Sequence, residues 1–458
     1  MTVLTHDEQT IIAQCTPKGS GAIALLRISG LDAIEIASSI SKLPGAKTLS
    51  EMPTHTIHFG YVINEHGLHI DQVLFLLMHA PKTFTGQDTV EITCHNNPFI
   101  ISDIIRAAIT AGARIAENGE FTRRAVQQNK IDLLQAEAIN ELIHANTTIA
   151  LKQSMAQLEG SLSCWVIEFE NLLLNALALT NASFEFLDDE ISFGPQIQGI
   201  IATLRTKTKA LHASFDQQQQ IRSGVRIAIL GSVNAGKSSL FNALLARDRA
   251  IVTNIPGTTR DTIEAGLYKD GNYWTLIDTA GIRQTADAIE NQGIERSLKE
   301  AVNADIIILV LDTSRALTDY EREFYLQCIN QHQDKIILVR NKVDDALDKS
   351  QTFGQTCIDC SCKTKQNIEA IEKAVATKIV TLFDSIKAPF LLNERQIYLL
   401  GTLDQKLCTI ESMVQEPIQY EIVSAHIKDA LALICELTGK TISDKTMDKI
   451  FSQFCVGK

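Results

Sequence analysis

A chain of 458 residues, 45% of them hydrophobic, has room for roughly two to four domains with sizeable cores, which excludes a mainly disordered polymer. Its formal charge of −12, from 54 acidic and 42 basic residues, argues against non-specific adhesion to nucleic acid or anionic membrane and leaves only a local basic pocket for RNA. There is no charged leader with an apolar stretch and no apolar run of membrane-spanning length, and the ten cysteines are unevenly spaced; the expectation is a cytoplasmic protein with free thiols and no membrane insertion.

From Gln9 to about Ala125, short apolar runs (Ala22 to Ile28, Val73 to Leu77, Val90 to Ile92) alternate with Gly, Pro, Asn and charge, and a helix is expected around Ile100 to Ala111. This predicts an α+β domain over 1–124. Leu133 to Ile143 and Val166 to Leu179 then carry apolar residues three and four apart, so a first helical part is expected over 125–222. From Val225, aliphatic runs at Val225 to Leu230, Trp274 to Ile277, Ile306 to Leu311 and Ile336 to Val339 alternate with helical stretches, predicting a mostly parallel sheet covered on both faces over 223–380. Helical periodicity returns through Glu394 to Leu407 and Ile422 to Leu437, stopped at Gly439, over 381–458. The fold class is therefore multidomain α/β and α+β, with a Ras-like P-loop domain inserted into a discontinuous helical domain.

Gly231-Ser-Val-Asn-Ala-Gly236-Lys237-Ser238 follows a predicted strand and opens a predicted helix, the context that a Walker A loop requires. Its glycines let successive amides curl around phosphates, Lys237 neutralises the β- and γ-phosphates, and Ser238 offers its hydroxyl to magnesium. Asp278-Thr279-Ala280-Gly281 at the next strand end has an aspartate for magnesium-bound water and a glycine amide to sense the γ-phosphate. Asn341-Lys342-Val343-Asp344 names the base, because only guanine presents the two hydrogens that the Asp344 carboxylate accepts. Ser361-Cys362-Lys363 stands where backbone amides finish such a pocket, unless it is an ordinary loop. The expected GTP pocket also takes in Asn234, Ala235, Ser239 and the first-switch run Thr253, Asn254, Ile255, Pro256, Gly257, Thr258 and Thr259, with Thr259 as a second magnesium ligand.

Hydrolysis needs a group to orient water, and the position after Gly281, a glutamine in Ras-type switches, is the inert Ile282. Three readings stay open from the residues. A monovalent cation among Asn234 and the backbone oxygens of Thr253, Ile255 and Thr258 could stabilise charge, Arg260 could act as a finger, and Glu290 could position water or be a solvated acid.

Beyond the nucleotide motifs, Leu26-Arg-Ile-Ser-Gly30, Phe84-Thr-Gly-Gln-Asp88, Gly119-Glu-Phe-Thr-Arg-Arg-Ala125, Asp132-Leu-Leu-Gln-Ala-Glu-Ala138, Gly257-Thr-Thr-Arg-Asp261 and terminal Cys455-Val-Gly-Lys458 resemble the MnmE, or TrmE, family of tRNA-modification GTPases, from about Asp7 to Lys458. The resemblance implies a folate-binding N-terminal domain that drives homodimerisation and G domains that meet across the dimer. It implies potassium near Asn234, Thr253, Ile255 and Thr258, magnesium at Ser238 and Thr259, and Glu290 as the water-orienting residue. It also implies an FAD-containing partner of the MnmG, or GidA, type, in a heterotetramer or larger assembly. Together they would place an aminomethyl or carboxymethylaminomethyl group at C5 of the wobble uridine of tRNA, using a tetrahydrofolate derivative. Arg27, Glu91, Lys130 and Lys458 match folate-site positions, and their charges suit anionic, carbonyl and pterin-like groups. Asn96-Asn97 stands where two glycines are usual; if those glycines serve close backbone approach to the cofactor, asparagine would narrow or alter the site, although it tolerates left-handed geometry better than most residues.

Cys357, Cys360 and Cys362 lack a fourth ligand for structural zinc and read as thiols, with a labile redox site as the alternative. Cys455 is chemically suited to attack C6 of uridine, given deprotonation and access. Two other classes remain at this stage: a ribosome-assembly GTPase of the Era or Der type, and a folate-binding scaffold with a merely structural GTPase.

Overall fold

The computed structural model describes residues 9–185, 193–212, 214–215, 218, 221–222, 224–247, 263–278, 300–346, 353–384, 389–415 and 418–457. The chain forms two compact units, one from residues 1–140, 156–204 and 402–458, the other from 141–155 and 205–401.

Thirteen strands are described: β1 (Ile11–Gln14), β2 (Ile23–Ser29), β3 (Ser41–Lys42), β4 (Thr56–Ile63), β5 (His69–Met78), β6 (Thr89–His95), β7 (Arg114–Ile115), β8 (Val225–Gly231), β9 (Ile263–Lys269), β10 (Asn272–Asp278), β11 (Ile306–Asp312), β12 (Ile336–Asn341) and β13 (Cys357–Asp359). The described helices are α1 (Ala33–Ser39), α2 (Pro98–Thr110), α3 (Glu120–Gln127), α4 (Leu133–His144), α5 (Thr148–Leu158), α6 (Ser161–Glu185), α7 (Gly194–His212), α8 (Lys237–Arg247), α9 (Asp319–His332), α10 (Ile368–Asp384), α11 (Glu394–Met413), α12 (Tyr420–Thr438) and α13 (Asp444–Phe451).

In the first unit β1 to β7 form one sheet in the order β3-β4-β5-β6-β2-β1-β7, antiparallel throughout except for β1 against β7. Alternation along the strands sorts the faces. Leu26, Ile28, Phe75, Leu77, Val90 and Ile92 bury one face against α1 and α2, while Leu25, Arg27, Leu76, Glu91 and Thr93 fall on the other, half-open face. Asn97 caps α2 by accepting from the Phe99 amide at 2.9 Å, with Pro98 in the first turn, where its missing N–H costs nothing.

The same unit holds a helical layer built from distant parts of the sequence. α6 buries Leu162, Val166, Phe169, Leu173 and Ala176, a three-and-four spacing, and packs along α12, which buries Val423, Ile427, Ala430, Ile434 and Leu437. α12 ends at Gly439 in the left-handed region (φ 86°), the stop that its position in the sequence suggests. By length and composition Ser161–Ser183 is apolar enough to cross a membrane, the one such stretch among the described helices. Its Glu170 instead pairs with Lys440 at 2.7 Å, and its apolar stripe lies against α12.

A buried ion network fixes the Gly119-to-Ala125 motif. Glu120 (3% exposed) accepts from Arg114 and from Arg124 (2% exposed), each at 2.8 Å, and Arg124 also donates to the Gln87 side chain at 2.9 Å and to the Gln9 carbonyl at 2.7 Å. Desolvation pushes the Glu120 carboxyl up, but hydrogen bonds from Arg114, the Glu117 amide and Arg124 overcome it, and its pKa is lowered. The network's contribution is therefore present above the unfolded-state pKa of glutamate and lost as pH falls through the depressed one. Glu120→Gln strands two arginines, one fully buried, and is expected to cost about 3–5 kcal/mol in local stability, read as faster hydrogen exchange across residues 9–130. Unchanged exchange would mean that the network is not stabilising.

The second unit is a six-stranded sheet in the order β13-β12-β11-β8-β10-β9, parallel except for β9 against β10. α8 and α10 cover one face with Leu240, Phe241, Leu244, Ile371, Val375 and Ile379, and α9 covers the other with Phe324, Tyr325, Cys328 and Ile329. All seven residues of β11 are buried, as a central strand covered on both sides demands. Strand order reverses at β8, and the parallel strands end together at Gly231, Asp278, Asp312, Asn341 and Asp359. That carboxyl edge at a switch point is where ligands settle in open α/β sheets.

Candidate functional site

β8 delivers the chain to a loop from Gly231 to Gly236, and α8 begins at Lys237. Gly231 (φ 153°) passes so close to β11 that a Cβ there would lie 2.3 Å from the Val310 carbonyl oxygen; at Gly236 (φ 95°) it would lie 2.1 Å from Asn341 Nδ2. Neither position admits a side chain. Asn234 takes a left-handed backbone (φ 62°) and, with Ser238, is exposed at the loop's outer surface. The first amides of α8 have no partner within the helix, so Lys237, Ser238 and Ser239 present a positive helix end to an anion.

Lys237 is 8% exposed and folds over the loop, its ammonium donating to the carbonyls of Gly231 at 2.9 Å and Ser232 at 2.8 Å. Burial lowers its pKa, with the Asp278 carboxylate, at the end of β10, opposing the shift. Asp278 (3% exposed) and Ser238 are hard oxygen donors of the kind that holds Mg2+ through phosphate and water. Tyr325, fully buried on α9, holds the loop from beneath: it accepts from the Ser232 amide at 2.8 Å and donates to the Val310 carbonyl at 2.7 Å. Burial pushes its phenol up to about 12, so it stays neutral and able to donate.

Asn341 joins the phosphate side to the base side. Its Nδ2 donates to the Ala235 carbonyl at 2.9 Å, and its Oδ1 accepts from the Cys362 amide at 3.2 Å, so one buried amide ties the P-loop to the Ser361-Cys362-Lys363 segment. Lys342 (φ 64°) turns the chain and donates to Asp312 at 2.6 Å, laying its stem along the edge. Desolvation raises the Asp312 carboxyl, but hydrogen bonds from Lys342 and Ser314 win and lower it. A hydrogen bond from the Ser361 hydroxyl is the first cause of the lowered pKa of Asp344, and the Lys363 ammonium lies 4.0 Å away, so Asp344 is held as an acceptor-only carboxylate. Ser361 is itself pinned by reciprocal backbone bonds with Gln366.

In the first unit Arg27 and Glu91 are directly opposed on β2 and β6 and paired at 2.7 Å. The Arg27 guanidinium lies over the rings of Phe84 at 5.8 Å and Phe121 at 5.4 Å, so three of the quoted motifs meet here. Lys130 is exposed and donates to the Pro81 carbonyl at 2.7 Å. The terminal segment joins the same unit: the Gly119 amide donates to the Cys455 carbonyl at 3.3 Å, Val456 bridges Asn118, and Gly457 packs on Gln14, whose β2 partner, Leu26, adjoins Arg27. The Cys455 thiol is exposed. At Asn96-Asn97 the glycine freedom goes unused, because Asn97 is extended (φ −119°) as the α2 cap and Asn96 donates to the Gly19 carbonyl at 2.8 Å.

Asn234 through Ser239, Asp278, Asn341, Lys342, Asp344, Ser361, Cys362 and Lys363 therefore gather along one sheet edge. The first-switch residues Thr253 to Asp261, then Thr279, Ala280, Gly281, Ile282, Glu290 and the terminal Lys458, lie outside the described residues. Sequence alone does not single out Tyr325 or Asp312; an acid closing the apolar run Ile306 to Leu311 is the one signal pointing to Asp312, and Tyr325 reads as another core aromatic. Among the described residues no three His, Cys, Asp or Glu side chains gather as a metal site.

Comparison with known proteins bears on both flanks. Residues 10–130 match the model of the GTP-binding protein TrmE N-terminus and residues 133–455 that of the MnmE helical domain. The chain is 36% identical over 468 residues to a tRNA modification GTPase MnmE of Fervidobacterium nodosum, covering 100% of both chains. It is 34% identical over 459 residues to that of Bacillus subtilis, covering 98% of this chain and 100% of the other. Among solved structures, the G domain of the T. maritima FeoB iron transporter is 26% identical, covering 34% of this chain and 98% of that one with a TM-score of 0.27.

Proposed function

The chain belongs to the MnmE family of tRNA modification GTPases, and from that premise we propose that it is a potassium-activated GTP hydrolase that modifies C5 of the wobble uridine with an FAD-dependent partner of the MnmG or GidA type. The observation that carries the nucleotide part is the Asn341 bridge, which makes the phosphate loop and the base-reading loop one frame of fixed spacing. In this reading Lys237 leaves its two carbonyl partners for the β- and γ-phosphates, and Asp344 accepts the N1 and N2 hydrogens of guanine. Ser238 and Thr259 would hold magnesium, which would neutralise phosphate charge. Asn234, exposed and left-handed in the P-loop, would supply a potassium ligand together with Thr253, Ile255 and Thr258, and Glu290 would orient the attacking water.

The folate-derived one-carbon unit is assigned to the open face around Arg27 and Glu91, with Lys130 from the segment before Asp132 and Lys458 from the terminal tetrad as further ligands and Cys455 as an additional participant. The Arg27 guanidinium near the faces of two aromatic rings, and the carboxylate beside it, suit a ligand with an anionic tail and a flat, hydrogen-bonding ring. Exposed Ile57, Phe59 and Leu74 on β4 and β5 favour a homodimer through this domain. That both flanking domains match one tRNA-modification family decides against the ribosome-assembly reading.

Reconstitution with the FAD protein, GTP, potassium, folate and tRNA tests the whole: mass analysis of the wobble nucleoside is expected to show the added aminomethyl or carboxymethylaminomethyl group, and unmodified uridine would reject the proposal. In the same preparation GTP turnover is expected to drop about tenfold when sodium replaces potassium at equal ionic strength, and roughly 10²-fold in Glu290→Ala with nucleotide binding kept. Equal rates in the two salts would remove potassium from the mechanism, and an unchanged rate in the variant would remove Glu290.

A further inference from the structure

Two cysteines flank the buried Ser361 in the base-reading loop, and their surroundings differ from those of the third cysteine nearby. Cys360 is fully buried just past β13, Cys362 is half-buried two residues on, and both pack with the core on the α8 and α10 side of the sheet. Cys357 packs with the opposite core, on the α9 side, and its thiol points to the Gln355 carbonyl at 3.5 Å. In extended chain, residues two apart share a face and stand about 6.6 Å apart, near the upper limit that a disulfide spans. Both residues also engage one atom, Asn341 Oδ1: the Cys362 amide at 3.2 Å and the Cys360 sulfur at 3.7 Å.

We propose that Cys360 and Cys362 form a reversible disulfide on exposure to a peroxide, and that closing it weakens guanine-nucleotide binding by pulling the loop off Asn341. Both residues pack on the same core and meet at Asn341 Oδ1, and the interaction of the two side chains raises the Cys360 pKa and, against the effect of burial, lowers that of Cys362. Cys362 is thus the accessible nucleophile and Cys360 the resolving thiol. The Cys362 thiolate attacks one oxygen of hydrogen peroxide, the O–O bond breaks, and the departing hydroxide takes up a proton as water, leaving a sulfenic acid. The Cys360 sulfur then attacks the sulfenic sulfur, loses its proton, and expels the second water. Two thiols give up two electrons and two protons, and the peroxide is reduced to two waters.

The loop cannot absorb this change elsewhere, because Ser361 is tied both ways to Gln366 and the Cys360 amide to the Arg340 carbonyl. Drawing the sulfurs into a bond shifts the Cys362 amide and removes the Cys360 thiol from Asn341, whose other arm holds the P-loop carbonyl of Ala235. The strain that a two-residue spacing imposes makes the bond easy to reduce, as a reversible switch requires.

This inference rests on the nucleotide reading above, and the test separates the two. The full chain is treated with hydrogen peroxide, the excess is removed, and the tryptic peptide from Ser350 to Lys363 is weighed while fluorescent GDP affinity is measured before and after. Expected are loss of two hydrogens from the peptide, retained in Cys357→Ser and absent in Cys360→Ser and Cys362→Ser, and about tenfold weaker GDP binding restored by dithiothreitol. A link that disappears in Cys357→Ser, an unlinked peptide, or a linked chain with unaltered affinity overturns the switch. Failure of the reduced chain to bind GDP overturns the nucleotide reading itself, and the switch with it.

Discussion

Lys237→Met is expected to bind GTP about 10²- to 10⁴-fold more weakly than the parent chain while the nucleotide-free protein is as stable or more so. The two halves of this expectation share one cause. Lys237 is 8% exposed, and burial holds its pKa down even though Asp278 pulls the other way. For a lysine with a depressed folded-state pKa, the folding cost is present at low pH and relieved as pH rises through the depressed value. At neutral pH the free protein therefore carries a cation that is only partly compensated by two carbonyls. Methionine, of similar length and apolar, removes that charge without opening a cavity. The phosphates lose far more, since truncating one partner of a desolvated charge pair costs about 3–5 kcal/mol, which converts to the range above. Calorimetric titration with GTP and denaturant unfolding of the apo chain decide it. Retained affinity would show that Lys237 does not meet the phosphates, and a large loss of apo stability would show that it is a structural lysine.

The sequence made Lys237 legible because a Walker loop is a local object: spacing, two glycines, a strand before and a helix after are all written within a dozen residues. The parallel strands were legible for a similar reason, as β8, β10, β11 and β12 are nearly continuous apolar runs. β4 is not such a run; it exposes Ile57 and Phe59, with His58 between them and Gly60 after, so its place depends on eight paired residues of β5 rather than on its own composition. What holds the loop in shape was not local either. Tyr325 reaches Ser232 across 93 positions, Asn341 reaches Ala235 across 106, and Arg124 reaches Gln9 across 115. No periodicity records such pairs. The family motifs around Gln87, Glu120 and Arg124 were visible as strings whose meaning, a shared buried ion network, only the fold supplies.

Asp344→Asn is expected to turn the chain from a guanine reader into a xanthine reader. A carboxylate has no donor, and the Ser361 hydrogen bond and the Lys363 ammonium keep this one ionised. It can accept both the N1 and N2 hydrogens of guanine, whereas xanthine carries an oxygen at position 2 and would set acceptor against acceptor. Asparagine offers one oxygen and one amide, so it pairs with the N1 hydrogen and the 2-oxygen of xanthine and leaves guanine with donor facing donor. The Ser361 hydroxyl can still donate to the amide oxygen, so the loop has no reason to rearrange. Sites that hydrogen-bond a polar group reject the mismatched analogue by about 10⁴. The ratio of kcat/KM for GTP over XTP is therefore expected to fall by at least that factor and to invert, with XTP turnover close to that of the parent chain on GTP. If the variant keeps preferring GTP, the base is read elsewhere; if it hydrolyses neither, Asp344 supports the loop rather than the base.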